Sequence, residues 1–212
     1  MPTRYTLRGS GKPLFEEMRK AYLADEIAPT AFVPAICEHG EVKLLRWGLT
    51  PSWAKEDFGA SLIHARRERV FIQNAFKTSV WRRRCLIPAT AFFEWRDEFN
   101  SIGVDPMDPQ FLGATDREKY RFSVPSQPLF YFAGIWDDWI DPNGSEIASC
   151  SILTTYPNSL MIRYKAWMPC ILRAGTEDRW MDFTIESQAE LDSLLRGLES
   201  DEISVTKVGS KK

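Results

Sequence analysis

Four side chains in this sequence have the chemistry to move protons or attack a carbonyl. Glu94 stands between aromatic neighbours in Phe92-Phe93-Glu94-Trp95. A carboxyl in such a setting must be paired or poised when buried, which makes it a candidate acid or base. His64 is one of two histidines and can exchange a proton near neutral pH, although a lone histidine is more often a core residue held by backbone. Pro2 follows Met1, and removal of Met1 would expose it as a secondary amine. An α-amino group with a pKa of about 8 is roughly one tenth neutral at pH 7, enough to attack an aldehyde held close. Lys165 supplies a second amine or a phosphate-holding charge, where the ordinary fate of a lysine is a solvated surface.

Other chemistries have less support. The cysteines at 37, 85, 150 and 170 form no CxxC pair, so neither a zinc framework nor a disulfide scaffold is expected, and they read as buried small hydrophobes. No serine or cysteine nucleophile is paired with histidine in a recognisable motif; Cys170, two residues after Met168, comes nearest. No metal or organic cofactor is implied. The net charge of -2 argues against binding nucleic acid by overall basicity and leaves the matter to local clusters. Arg66, Arg67 and Arg69 form one, Arg82, Arg83 and Arg84 another, and Arg4 lies near the N-terminus. The second cluster reads equally well as helix-end charge. Eight tryptophans serve either a large core or a stacking surface. No apolar run reaches the roughly 20 residues of a membrane span, and a cytoplasmic, monomeric protein is expected.

The elements that must position these residues are mostly strands. Residues 32–37, a turn at His39-Gly40 and residues 42–47 read as a hairpin. Further strands are expected at 85–87, 91–95, 120–124, 129–136 and 147–154. Helical spacing of Leu14, Met18 and Tyr22 after Pro13 predicts an early helix to about residue 23. Others are expected at about 72–81, 158–163 and 188–198. The stretch 97–118 has no periodicity and reads as a long loop. One domain is expected over residues 1–206, with a disordered tail at 207–212.

A series of short motifs in a fixed order carries a family resemblance. These are Arg4-Tyr5; Ile27-Ala28-Pro29-Thr30 and Val33-Pro34; Arg46-Trp47-Gly48-Leu49-Thr50-Pro51-Ser52-Trp53; Ala65-Arg66 with Glu68; Arg83-Arg84-Cys85-Leu86-Ile87-Pro88-Ala89; Phe92-Phe93-Glu94-Trp95; Phe132-Ala133-Gly134-Ile135-Trp136; Thr154-Thr155; and Met168-Pro169 with Ile171-Leu172. The chain thereby resembles the SRAP (SOS-response-associated peptidase) family of abasic-site-processing proteins along most of its length. The resemblance implies an α+β domain whose mixed or antiparallel sheet curves toward a barrel, flanked by a few helices. It also implies binding to abasic sites in single-stranded DNA in the DNA damage (SOS) response. In that family an N-terminal cysteine closes a stable thiazolidine on the sugar aldehyde, assisted by an asparagine, a glutamate and a histidine.

At those positions this sequence has Pro2, His64, Glu94 and Lys165, and Trp167 stands where the family has an arginine before Met-Pro. A thiazolidine needs a thiol beside the amine, so Pro2 cannot form it. Three readings stay open. In one, Pro2 forms a Schiff base and acts as an abasic-site lyase, with Glu94 and His64 as acid or base and Lys165 as an alternative amine. In the second, the chain grips single-stranded DNA without chemistry. The third is the family's self-processing peptidase activity. Pro2, Glu94, His64 and Lys165 are expected in one positively lined cleft. Arg4, Arg66 and Arg84 are the expected phosphate contacts, with Trp53, Trp47 and Trp167 as stacking groups, core packing being the commoner fate of Trp47.

Overall fold

The computed structural model describes residues 4–7, 26–97 and 117–211. The helix expected before residue 23 lies outside them, as do Pro2 and nearly all of the 97–118 loop.

The fold begins from a hairpin. Strands β2 (Phe32–Ile36) and β3 (Val42–Trp47) pair from Phe32↔Arg46 to Ile36↔Val42. Their turn passes through His39 and Gly40 at φ of 55° and 76°, the left-handed backbone that lets a tight connection follow the strand twist. Strand β5 (Arg84–Ala89) joins β2, and β8 (Phe130–Ile140) pairs along all of β5. Strand β9 (Glu146–Thr155) pairs with β8 on one side and runs parallel to β3 on the other, at Arg46↔Ser149 and Trp47↔Cys150. The strands therefore close into a ring, the barrel-like curvature expected of the fold. Two short strands extend the C-terminal half of β9: β4 (His64–Arg66), parallel to it, and β10 (Met168–Pro169), antiparallel.

A second sheet of four strands runs in the order β1-β6-β7-β11. It comprises β1 (Arg4–Thr6), β6 (Ala91–Asp97), β7 (Arg117–Ser123) and β11 (Ser204–Lys211). Only Thr90 separates β5 from β6, so the sheets meet at a corner, and Tyr5, Phe92 and Phe122 face the ring interior with Trp47, Phe132 and Ile152. The other face of the ring packs under helical segments through Val80, Trp180, Leu191 and Leu195.

Four expectations are corrected here. The tail expected from residue 207 is the second half of β11, registered on β7 from Ser204↔Ser123 to Lys211↔Arg117. Its composition is polar because it is an edge strand, where alternation against a core is not required. The helix expected at about 72–81 is reduced to α2 (Lys77–Arg82), and a separate short helix, α1 (Arg67–Val70), precedes it. Between them the chain turns more tightly, with Phe76 N donating to the Gln73 carbonyl at 2.9 Å. The other two helices shrink as well. Only Met161–Arg163 forms, as a 3-10 turn, with Asn158 Oδ1 accepting from Leu160 N and Met161 N. The late helix runs Gln188–Leu194 and is capped by Ser187.

Candidate functional site

Side chains alternate along a strand, so every second residue of β6 faces inward. Phe92 does so, stacked on Phe122 with ring centroids 5.1 Å apart, and Glu94 follows it on the same face, 0% exposed. Burial pushes the Glu94 carboxyl from its ordinary 4.5 up to about 7, with nearby positive charge, that of Lys165 included, pulling the other way. Lys165 reaches this position because Tyr164, next to it, packs on Tyr120 and Phe122 at 4.7 and 5.1 Å, and Tyr120 is registered opposite Glu94. A buried carboxyl balanced between its two states at neutral pH, beside an amine, can both give and take a proton.

His64 lies at the start of β4, in register with Ile152 and buried. Its ring meets Trp47 edge-on at 5.8 Å, and Trp47 meets Tyr5 at 5.5 Å. Since Tyr5 and Phe92 both meet the Phe132 ring, at 5.6 and 6.2 Å, a continuous run of ring contacts leads from the neighbourhood of Glu94 to His64. Trp47 itself is wholly buried and donates its indole N–H to the Ile63 carbonyl at 2.8 Å. It is a wall of the core with no face to offer a base.

At the mouth of this interior, the ends of β4 and β9 and the segment leading into β10 bring three side chains together. The Arg66 guanidinium lies 3.9 Å from the centroid of the Trp167 ring. Trp167 is in turn stacked on Tyr156, with centroids 5.0 Å apart and planes 30° from parallel. Thr154, in register with both Arg66 and Pro169, buries a hydroxyl that has no hydrogen-bond partner among the described residues.

The remaining expected contacts fall elsewhere. Arg84 is corrected: it is 0% exposed, and its guanidinium donates to the carbonyls of Val80, Trp81, Trp180 and Asp182. Burial pulls its pKa down to about 10, against the nearby Asp182 charge, so it stays a cation. It braces α2 against the turn at Trp180 and Asp182 and cannot meet a phosphate. Arg83 is engaged too, ion-paired with Asp137. Arg4, the other expected phosphate contact, does not face Glu94. It alternates with Tyr5 and so lies on the outer face of the sheet, over Trp95 at 5.9 Å and 3.9 Å from Glu26. Trp53 is 60% exposed on a loop anchored well back along the ring, by Ser52 N to Asp137 and Thr50 N to Ser149. That loop is clamped by Arg46, which holds Asp57 through two 2.7 Å bonds. A cleft of about 650 Å³ on the outer face of the four-stranded sheet is lined by Glu26, Phe93, Lys119 and Arg121 among others. Glu94 and His64 do not line it, so its size carries no weight for the chemistry. Among the described residues no group of three or more His, Cys, Asp or Glu could hold a metal ion, and no helix is long and apolar enough to cross a membrane.

Tyr156 and Thr154 were not singled out from the sequence as site residues. Thr154 was visible as a motif member, and Tyr156 only as the aromatic that follows it.

A buried carboxyl on the inner face of the four-stranded sheet, and a cationic and aromatic cluster at the end of β9, belong to a small α+β protein. The family model described as SOS response associated peptidase (SRAP) matches residues 3–211, and the chain belongs to that family. It is 32% identical over 188 residues to the abasic site processing protein YoqW of Bacillus subtilis, covering 87% of this chain and 78% of YoqW. The abasic site processing protein HMCES of Rattus norvegicus is 27% identical, covering 74% of this chain and 49% of its own length, so this chain spans about half of it. Among solved structures, a crystal structure of a protein from Bacteroides thetaiotaomicron superposes with a TM-score of 0.83 at 25% identity, covering 98% of this chain and 92% of that one.

Proposed function

We propose that this protein binds abasic sites in single-stranded DNA and engages the open sugar aldehyde through an amine, acting as a Schiff-base lyase without a lasting cross-link. The observation that carries the reading is Glu94, wholly buried, poised near pH 7 and electrostatically coupled to Lys165. The names of the relatives support the substrate class.

Pro2, freed by removal of Met1, is the attacking amine, and Lys165 is the alternative. Pro2 stands two residues before Arg4 in the chain. Arg4 is registered on Phe93, next to Glu94. The amine nitrogen bonds to C1′ and Glu94 delivers a proton to the carbonyl oxygen. Loss of water leaves an iminium. The acidified C2′ proton then passes to a base, Glu94 or His64, as the C2′–C3′ double bond forms and the 3′ phosphate departs with the C3′–O electron pair. Water releases the amine. The protein is proposed to act as a monomer in the cytoplasm during the DNA damage response, with Arg66 and Trp167 as DNA contacts and Trp53 reaching a more distant part of the strand.

The test is incubation with an abasic single-stranded oligonucleotide, with and without borohydride, followed by mass spectrometry of the adduct and of the intact N-terminus. Strand cleavage with a trapped adduct at Pro2 is expected; an adduct at Lys165 moves the role to that amine. Tight, abasic-selective binding with neither outcome means a binding module without chemistry. Equal, weak binding to abasic and intact strands overturns the damage reading. A cysteine nucleophile of the peptidase kind has little support, since Cys170 is buried with its thiol 3.3 Å from the Leu195 carbonyl.

A further inference from the structure

The stack at the mouth of the site goes beyond capture of the sugar. Arg66 is exposed and has no carboxylate partner among the described residues, in contrast to Arg67 beside it, which is bonded to Asp192. With its guanidinium carbon 3.9 Å from the Trp167 ring centroid, Arg66 is held against an aromatic face and keeps N–H donors for an anion. Tyr156 has one face against Trp167 and is 64% exposed. A single exposed aromatic needs no explanation. A cation, an indole and a phenol in mutual contact, with the indole two residues from Lys165, do.

We propose that Arg66, Trp167 and Tyr156 form a platform for the unpaired base adjacent to the abasic site. The base lies on the open face of Tyr156, and Arg66 holds the phosphate that links this nucleotide to the lesion. This rests on the single-strand reading above. It adds that the protein recognises a missing base partly through the base that remains beside it, and that Trp167 and Tyr156 do by stacking what a second arginine would do by charge. A π face is common to all bases, so the platform is indifferent to sequence.

The test uses the full chain and a single strand carrying a stable abasic analogue, with 2-aminopurine on one side of it or the other. A second strand lacks the bases on both sides. The wild type should quench 2-aminopurine on one side. Tyr156→Ala should lose the quench and weaken binding about ten-fold, the loss expected for one base–aromatic stack, and Tyr156→Phe should keep both. On the strand without flanking bases, wild type and Tyr156→Ala should bind alike. Arg66→Gln should reduce the salt slope of binding by about one. If Tyr156→Ala binds and quenches as the wild type does, the platform is wrong and the single-strand reading stands. If the wild type itself binds no single strand, that reading fails and the platform falls with it. Tyr156 is exposed, so its variants should fold.

Discussion

Replacing Glu94 by Gln should stabilise the protein, and by an amount that grows with pH. The folded state holds this carboxyl at about 7 against an ordinary 4.5, chiefly through burial. Between those values the folded form keeps a proton that the unfolded chain has released. Stability from this group is therefore complete below about pH 4.5, declines as pH rises, and is lost above about 7. A gap of about 2.5, at about 1.36 kcal/mol per unit, gives roughly 3 kcal/mol at pH 8 and roughly 1 kcal/mol at pH 5. Gln is nearly isosteric and never ionises, so its advantage over Glu should follow the same curve. Parallel urea titrations of the two proteins from pH 5 to 8.5 measure it, because groups common to both cancel in the difference. An advantage that does not change with pH, or a Gln variant that is less stable throughout, would falsify the assignment. Either result would mean that the carboxylate is held ionised by its cationic neighbours.

Arg84→Ala should lower Tm by roughly 10 °C, since it strands several buried carbonyls and leaves a cavity; binding to DNA by protein that remains folded should be unchanged, which a thermal melt and a binding isotherm check together. Gly48→Ala should cost roughly 2 kcal/mol or more, because Gly48 has φ of 139° and a Cβ there would lie 2.1 Å from the Gly59 carbonyl oxygen; denaturant titration measures the loss, and faster proteolysis within residues 50–60 should accompany it. No cysteine should react quickly with a thiol reagent in the native state. All four are buried, and burial pushes the Cys37 thiol up to about 12 and the other three upward as well; a colorimetric thiol titration should show four thiols only after denaturation.

The strands were legible because their inner faces carry an apolar alternation: Val33 and Ala35 in β2, and Phe130 and Phe132 in β8, all buried. Where no core demands alternation, as along β11, the signal was absent, and a paired edge read as a tail. Glu94 could be found because a carboxyl among aromatics is anomalous under any fold. Arg4 could not be assigned to a face, since nearness to Pro2 in the chain says nothing of parity; Tyr5 points inward, so its neighbour points out. Arg84 was misread for a related reason. A run of arginines suggests a surface, and only the carbonyls converging from Val80, Trp180 and Asp182 explain how a cation is satisfied inside. Tyr156 acquires meaning only when β10 returns beside β9 and sets Trp167 against it.

The substitutions at the site lead to one further expectation. In the family's reaction the amine makes the first bond and the thiol closes the ring that protects it. On the reading proposed above, this chain keeps an amine and the carboxyl that moves its protons but has no thiol to close. The iminium therefore stays open to water and to β-elimination, and its lifetime is set by those two steps. Adduct recovered without reductant should be a small fraction of that trapped with borohydride, and it should dissipate on dilution, releasing cleaved strand. A chase experiment, in which labelled adduct is diluted into excess unlabelled abasic strand and sampled over time, measures this directly. An adduct that survives the chase and denaturation without reductant would show that another nucleophile completes the closure, and would remove the distinction between recognising the lesion and sealing it on which the reading depends.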